Sequence, residues 1–170
     1  MTIRPIVIAP DRRLKVKCKP VGTVDDGVRQ IMDDMLETMY AAPGIGLAAP
    51  QIGLDRRIIV LDVAREGQPP EPMSLADPEI LWHSAEEVVF NEGCLSLPDI
   101  YLDISRPAAV KVRYRDRDNR VQTVDADGIL ARCLQHEIDH LDGVLHVDHV
   151  SALKRNMILR KLEKQRRGGS

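Results

Sequence analysis

Apolar residues recur at intervals of three and four in one early segment of the chain, which is the spacing of an amphipathic helix. The segment is acidic, and the Pro43-Gly44 pair that follows it should end the helix. We therefore predict a helix with a single apolar stripe. The stripe consists of Val28, Ile31, Met32, Met35, Leu36, Met39 and Tyr40.

Apolar runs and alternating segments predict strands in the middle of the chain. Residues 57–62 predict a buried strand, and residues 86–90 predict a short one. Residues 110–114 and 121–125 alternate on either side of a polar turn, which is the pattern of a β-hairpin. The three prolines within residues 67–72 predict a surface loop.

Two further helices are predicted near the C-terminus. The first should run from about Gly128 to Leu141 and stop at Gly143, with the inner stripe Ile129, Cys133, His136 and His140. The second should begin after Ser151 as its N-cap, with the apolar seam Leu153, Met157, Ile158 and Leu162. Because strands and helices are segregated along the chain instead of alternating, we predict the α+β fold class.

Composition and length indicate one globular domain covering residues 1–170. Hydrophobic residues make up 44% and charged residues 29%, which excludes an intrinsically disordered chain. The net charge of −2 provides no overall attraction to nucleic acid. The charge is uneven, however, because residues 151–170 carry +6 and the remaining 150 residues carry −8. The last predicted helix is therefore a basic helix on an acidic body.

The cysteines and the apolar segments indicate a reducing compartment. Cys18, Cys94 and Cys133 are too few and too scattered for a disulfide framework. The first residues lack the apolar core of a signal peptide. The most apolar stretch, residues 41–54, is interrupted by two prolines and three glycines and cannot span a bilayer. We expect a cytoplasmic protein with no membrane partner.

Residues 136–140, which read HEIDH, carry the strongest chemical signal. On a helix, side chains four residues apart lie on one face, so His136 and His140 can reach one metal ion. Glu137 lies beside them, where it can handle the protons of a water molecule activated by the metal. The alternative is that both histidines only pack in an apolar stripe, but buried imidazoles then need hydrogen-bond partners.

The sequence offers two candidates for a third ligand. His146 extends the pattern to HExxHxxGxxH, which matches the metzincin proteases, and Met157 lies downstream where those enzymes have a methionine. Cys94, in the segment EGCLS, would instead complete a site with one thiolate and two imidazoles and leave a position open for water or substrate. A lone cysteine is otherwise most often a buried, inert thiol.

Residues 44–51, GIGLAAPQ, contain a third signal. Their glycine spacing matches a dinucleotide-binding fingerprint, but a helix precedes them where a strand is needed, and Pro50 disrupts the helix that should follow. A glycine-rich turn lets the backbone approach a ligand closely, and Gln51 adds an amide donor at its end.

Together, GIGLAAPQ, EGCLS and HEIDH resemble the three signature motifs of the peptide deformylases, in the same order and at similar spacing. Pro10-Asp11, Asp77-Pro78 and residues 143–145 extend the resemblance, and the basic C-terminal helix is typical of the bacterial type. The chain departs from the usual pattern at two positions. Ala76 precedes Asp77-Pro78, where many members have Asn-Pro after an apolar residue, and His146 lies where the family usually has a large apolar residue. The resemblance implies antiparallel or mixed β-sheets packed around a central metal-binding helix, with an N-terminal helix and a C-terminal helix.

The resemblance also implies a role for each motif residue. The metal ligands would be Cys94, His136 and His140, and Glu137 would be the general base and acid. Gln51 and the backbone N–H of Leu95 would stabilise the oxyanion. The peptide and its methionine side chain would contact Ile45, Gly46, Ile129 and Cys133.

The implied reaction removes the N-formyl group from the initiator methionine of a new polypeptide and releases formate. Ligand types alone favour zinc, whereas the resemblance implies Fe²⁺, with Zn²⁺, Ni²⁺ or Co²⁺ able to substitute. The basic C-terminal helix is either a solvated helix face or, as the resemblance favours, a ribosome contact.

Two other functions stay open from the sequence. A metzincin-like endopeptidase would use His146 in place of Cys94 as the third ligand. A non-catalytic module that binds the ribosome would use its metal only to stabilise the fold and would tolerate the loss of Glu137 and Gln51.

Overall fold

The computed structural model describes residues 2–168, so the ends of the predicted domain and of the basic segment, residues 1 and 169–170, lie outside the described residues. Three α-helices fall in this range: α1 (Asp26–Ala41), α2 (Gly128–Leu141) and α3 (Ala152–Gly168). The strands of the same range are β1 (Gly46–Ala48), β2 (Ile58–Leu61), β3 (Met73–His83), β4 (Glu87–Cys94), β5 (Leu97–Pro107), β6 (Ala109–Arg115) and β7 (Val121–Asp127).

The strands form two antiparallel sheets. One has five strands in the order β1-β2-β3-β6-β7, and the other is the β4-β5 hairpin. Helix α2 contacts β1, β2, β6 and β7 of the larger sheet and also β5 of the hairpin. The predicted α+β class and its central helix are therefore confirmed. Within residues 2–168, no helix is long and apolar enough to cross a membrane.

Helix α1 follows the predicted apolar stripe except at its C-terminal end, where Tyr40 is 45% exposed. Its N-cap Asp25 accepts a hydrogen bond from the backbone N–H of Val28 at 2.9 Å, which satisfies one of the free donors of the first turn. The buried side chains of the stripe pack against residues of β1 and β2, which fixes the helix on the larger sheet. Those side chains are Val28, Met32, Met35 and Met39.

Strands β1, β3 and β5 were not predicted from the apolar pattern, and β3 shows most clearly why. Its pairing with β6 shifts register between Ala76 and Glu79 and again between Ile80 and Trp82. Within the first of these two shifts, Asp77 adopts a φ of 50°, a conformation that few residues other than glycine take. Each irregularity changes which side chains face the core, so the strand lacks continuous alternation.

Helix α3 begins as predicted but buries a different face. Ser151 Oγ accepts a hydrogen bond from the backbone N–H of Lys154 at 3.2 Å. The buried face is centred on Leu162, with Ile158 and Leu159 partly buried beside it. The rest of the predicted seam was wrong, since Leu153 and Met157 are 74% and 61% exposed. Successive helix residues are about 100° apart, so Met157 cannot share the centre of one face with Ile158.

Candidate active site

A cavity of about 800 Å³ opens between α2, the segment that leads into β1, and the turn of the β4-β5 hairpin. The three sequence motifs meet at this cavity. Residues 44–46 and Gln51 form one wall, residues 91–95 form another, and Cys133, His136 and Glu137 of α2 form the base.

Cys94, His136 and His140 come together as the sequence predicts. Each offers one potential ligand atom, and these atoms lie within 4.8 Å of one another. Cys94 Sγ is 3.4 Å from Nε2 of His140. Because α2 presents residues four apart on one face and β4 ends at Cys94, the thiol meets both imidazoles.

The chemistry of this group fits a divalent transition metal. Nδ1 of His136 donates to Glu92 Oε1 at 2.9 Å, which leaves Nε2 of His136 for a metal ion. His140 is fully buried, and burial lowers its pKa well below the ordinary value, so that ring is neutral as a ligand must be. One sulfur and two nitrogen ligands are typical of a site that keeps a position open for water or substrate.

A buried ion pair, which the sequence analysis did not identify, supports the potential ligand His136. Arg106 contacts both carboxylate oxygens of Glu92, through Nε at 2.6 Å and Nη2 at 3.0 Å. Burial alone would raise the pKa of Glu92, but the bonds from His136 and Arg106 lower it to about 2. Glu92 therefore stays charged and holds the His136 ring in place.

The same arginine connects the site to the protein surface. Arg106 Nη1 is 2.9 Å from Asp139 Oδ2, and that oxygen is also 2.9 Å from Nε2 of His149. Asp139 thus pairs with Arg106, which in turn holds the carboxylate that bonds His136. EGCLS contains Glu92, but no local pattern shows that the Arg106 side chain reaches it, because the pairing of β4 with β5 places Arg106 opposite Val88 and Glu92 opposite Leu102.

Glu137 is buried at the base of the cavity. Its burial raises its pKa to about 7, so the carboxyl group can both accept and release a proton near neutral pH. Its Oε1 has no hydrogen-bond partner among residues 2–168. A Cβ at position 46 would lie 2.5 Å from Glu137 Oε2 and 2.8 Å from Cys133 Sγ, so only glycine fits there.

Gln51 is held in one orientation by its neighbours. Its Oε1 accepts a hydrogen bond from the backbone N–H of Ala48 at 2.9 Å. Its Nε2 donates to Ser96 Oγ at 3.1 Å and lies 3.8 Å from Cys94 Sγ. The amide donor therefore faces the group of potential metal ligands. Leu95, the other predicted oxyanion donor, follows Cys94 and lines the cavity.

Three of the four predicted substrate residues line the cavity: Ile45, Gly46 and Cys133. The Cys133 thiol lies 3.7 Å from the carbonyl oxygen of Ile45, which ties α2 to the opposite wall. Ile129 is not among the lining residues and is 43% exposed. It lies one turn before Cys133 on α2, so its predicted contact with the substrate is left as a proposal.

His146 is buried beside the site but does not join the group of potential metal ligands. Its Nε2 donates to the carbonyl of Ile100 at 3.2 Å, and its ring centre is 5.8 Å from that of His136. Burial lowers the pKa of His146 to about 4. Because Nε2 bonds a carbonyl and Cys94 is beside His140, the geometry favours Cys94 over His146 as the third ligand.

The fold and the site together define a metallohydrolase, and similarity to known proteins identifies its family. The family model described as polypeptide deformylase matches residues 3–156. The peptide deformylase of Methylocella silvestris is 58% identical over 167 residues, covering 96% of this chain and 85% of the relative. That of Agrobacterium fabrum is 54% identical, covering 98% of both chains.

Solved structures agree with this result. The crystal structure of peptide deformylase from Ehrlichia chaffeensis matches with a TM-score of 0.94 and 38% identity over 99% of both chains. A structure of that protein in complex with actinonin matches with a TM-score of 0.92 and 41% identity, covering 97% of this chain and 98% of the other. The chain belongs to the polypeptide deformylase family, whose members remove the formyl group from the N-terminal formylmethionine of newly made polypeptides.

Proposed function

We propose that this deformylase works through one divalent metal ion held by Cys94, His136 and His140, with Glu137 as general base and acid. The observation that supports the proposal is the convergence of the three ligand atoms within 4.8 Å of one another. Glu137 and Gln51 line the same cavity. Each of the three motifs contributes at least one of these side chains.

The metal ion, when bound, supplies Lewis acidity that activates water and polarises the formyl oxygen. Glu137 takes a proton from the attacking water and delivers it to the amine that leaves with methionine. Its raised pKa of about 7 suits both transfers. The Gln51 amide and the backbone N–H of Leu95 donate to the oxygen that becomes negative as the formyl carbon turns tetrahedral.

The methionine side chain occupies the part of the cavity beside Ile45, Gly46 and Cys133. Gly46 brings the backbone close to Glu137, so a substrate on this wall lies next to the general base. Ile129 extends the same apolar side of α2 toward the exterior. An unbranched thioether adapts well to a wall of this kind.

We propose Fe²⁺ as the ion used in the cell, with Zn²⁺, Ni²⁺ or Co²⁺ able to replace it. One thiolate and two imidazoles can hold all four ions and by ligand type favour Zn²⁺, so the choice of Fe²⁺ rests on the resemblance to the family. A ferrous ion next to a thiolate is sensitive to oxidation, which distinguishes it from the others.

We also propose a single cytoplasmic domain whose basic helix binds the ribosome. Helix α3 attaches through Ile158, Leu159 and Leu162, and its opposite face carries exposed Arg160 and Lys164. A basic surface of this kind suits the phosphates of ribosomal RNA, close to where formylated peptides emerge.

Formate release from a formyl-Met tripeptide tests the central proposal. The protein is purified without oxygen and loaded with Fe²⁺. We expect rapid release by the wild type and a loss of about 10²–10⁴ in turnover for Glu137→Gln, which retains the size of the side chain but not its base. Metal content is measured in both proteins. An active Glu137→Gln variant, or a metal-loaded wild type that releases no formate, would contradict the assignment.

The same assay tests the choice of metal. Proteins loaded with Fe²⁺, Ni²⁺ or Zn²⁺ are assayed before and after exposure to air. We expect the Fe²⁺ form to lose activity in air and the Ni²⁺ form to keep it. Equal, air-stable activity of the Fe²⁺ and Zn²⁺ forms would count against the proposal.

A further inference from the structure

A second basic segment lies near the start of the chain, and we call it the N-terminal basic segment. It comprises residues 12–19, which carry five lysine and arginine side chains and no carboxylate, on a body that is acidic overall. Leu14 and Cys18 of this segment are buried, whereas all five cations are exposed. The cations are Arg12, Arg13, Lys15, Lys17 and Lys19.

The N-terminal basic segment packs against helix α3. Leu14 belongs to the same buried cluster as Leu162, the residue at the centre of the buried face of α3. Asp148 joins the two at the start of the helix, since it pairs with Lys15 and its Oδ1 also lies 4.0 Å from Nη1 of Arg155. The segment and the first turn of α3 therefore share one carboxylate.

The far end of α3 approaches the same part of the chain. The hydrogen bond from Arg13 lowers the pKa of Asp11 to about 2, and Arg166 in the last turn of α3 adds a smaller effect of the same sign. Because α3 approaches the N-terminal basic segment at both of its ends, the two lie side by side. Their exposed cations form one basic surface, built from parts of the chain that are far apart in the sequence.

Two cations of the segment are available to an external anion. Arg13, Lys15 and Lys19 pair with carboxylates of the protein itself. Arg12 and Lys17 are exposed and form no ion pair among residues 2–168. A free cation on a protein surface has no special meaning by itself, but these two lie beside the helix that we propose binds the ribosome.

A phosphate backbone is the ligand that suits both parts of this surface. It offers a continuous row of negative charges, so cations on α3 and on the N-terminal basic segment can each bind a different phosphate of one RNA. Neither residues 12–19 nor residues 151–170 contain an aromatic side chain, so neither part can stack on unpaired bases. The surface therefore suits the backbone of a folded RNA and not its bases.

We propose that the N-terminal basic segment binds phosphates of ribosomal RNA through Arg12 and Lys17 and forms, together with α3, one RNA-binding surface. This inference rests on the proposed binding of the ribosome by α3. Contacts to phosphates position a protein on a nucleic acid without reading its sequence. A helix that is held alone can still turn about its own axis, and a second contact beside it prevents this rotation. The segment therefore fixes the orientation of the enzyme on the ribosome.

A double change, Arg12→Gln with Lys17→Gln, tests the inference because it removes two charges and leaves the buried Leu14 in place. Binding of the full-length enzyme to bacterial ribosomes is measured at several salt concentrations. We expect affinity to fall about tenfold at roughly 0.1 M salt, and the dependence of log affinity on log salt to become less steep by roughly 1.4–1.8. Neither residue lines the catalytic cavity, so turnover of a formyl-Met tripeptide should be unchanged.

A control variant separates a local contact from the effect of net charge. Arg65→Gln with Arg120→Gln lowers the net charge equally at exposed positions outside both basic segments. Its affinity should stay within about twofold of the wild-type value. A loss of affinity in the variant at residues 12 and 17 without a change in the salt dependence would place the contact on ribosomal protein and exclude RNA phosphates.

A third variant, Arg160→Gln with Lys164→Gln on α3, distinguishes failure of this inference from failure of the proposed function. If the variant at residues 12 and 17 binds like the control while the α3 variant binds more weakly, the inference is wrong and ribosome binding by α3 stands. If the α3 variant also binds like the control, the proposed ribosome contact is wrong, and the inference fails with it.

Discussion

In the proposed mechanism, Gln51 is oriented in advance toward a charge that develops only during the reaction. Its carbonyl oxygen is fixed by the backbone N–H of Ala48, so its N–H group must face Ser96 and Cys94. A donor that is already in place needs no reorganisation when the oxyanion forms. The short 3-10 helix at Ala49–Ile52 supplies this rigidity, since Gln51 lies within it and is 1% exposed.

We predict that Gln51→Ala lowers turnover by roughly 10²–10³ while metal content is unchanged. Formate release and metal analysis on the same preparation check this. Ser96→Ala is the matched comparison, because it removes a hydrogen-bond partner of Gln51 Nε2 but leaves Ala48 to orient the amide, so its loss should be below about tenfold. A Gln51→Ala enzyme with nearly wild-type turnover would exclude the oxyanion role.

At the level of single residues, the sequence was informative where the chemistry is local. His136 and His140 are four residues apart on one helix, so their shared face follows from helix geometry alone. The contact between Glu92 and Arg106 joins side chains of two strands at positions that do not pair with each other, since Arg106 pairs with Val88. It could not be predicted from spacing in the sequence.

At the level of secondary-structure elements, the β4-β5 hairpin supplies the side chains that surround His136 of α2. Strand β4 supplies both Cys94 and Glu92, β5 supplies Arg106, and α2 supplies His136. The carboxylate that bonds the imidazole is itself held by a buried guanidinium. Loss of this carboxylate therefore affects the proposed metal site and the fold together, because it frees His136 and leaves the buried charge of Arg106 with Asp139 as its remaining carboxylate partner.

Glu92→Gln should weaken metal affinity about 10–100-fold, measured by competition with a chelator. In the metal-free protein it should also lower the free energy of unfolding at pH 7 by about 3–5 kcal/mol. Glu79→Gln removes a carboxylate that pairs with Arg113 on the surface, and it should cost less than about 1 kcal/mol. Equal metal affinity in Glu92→Gln and wild type would show that Glu92 does not support His136.

The pH dependence of this contribution has a definite sign. The pKa of Glu92 is lowered from 4.5 to about 2 in the folded protein. Its stabilising contribution is therefore fully present above about pH 4.5 and is lost as the pH falls toward 2. The difference in unfolding free energy between wild type and Glu92→Gln should shrink over this range, as measured by urea denaturation at several pH values.

The elements were predictable to the extent that their burial is regular. Helix α1 buries one main stripe, and the β6-β7 hairpin pairs without a register shift. Helix α2 is instead buried on nearly every side after its first turn, and Ile129 of its predicted inner stripe is 43% exposed. Strand β3 was not predicted because its register changes twice. The seam of α3 was half wrong because this helix packs against the body only around Leu162, so its exposed Leu153 and Met157 look like core residues in the sequence.

For the molecule as a whole, the uneven distribution of charge determines which surface can meet an RNA. The first 150 residues carry −8 and residues 151–170 carry +6, so the body repels phosphates and the C-terminal segment attracts them. Helix α3 is anchored through Ile158, Leu159 and Leu162. Deleting the helix would expose that part of the core, so a clean test must change only its outer face.

We therefore predict the effect of a double change, Arg160→Gln with Lys164→Gln, on ribosome binding. Both side chains are exposed and lie one turn apart on the face opposite Leu162. Affinity for ribosomes should fall, and the negative slope of log affinity against log salt should become less steep by roughly 1.4–1.8 for two lost phosphate contacts. Activity on a formyl-Met tripeptide should stay at the wild-type level.

The matched control, Arg65→Gln with Arg120→Gln, makes the same change in net charge at exposed positions outside α3. If both double variants weaken binding equally, net charge explains the affinity, and α3 is not the contact surface.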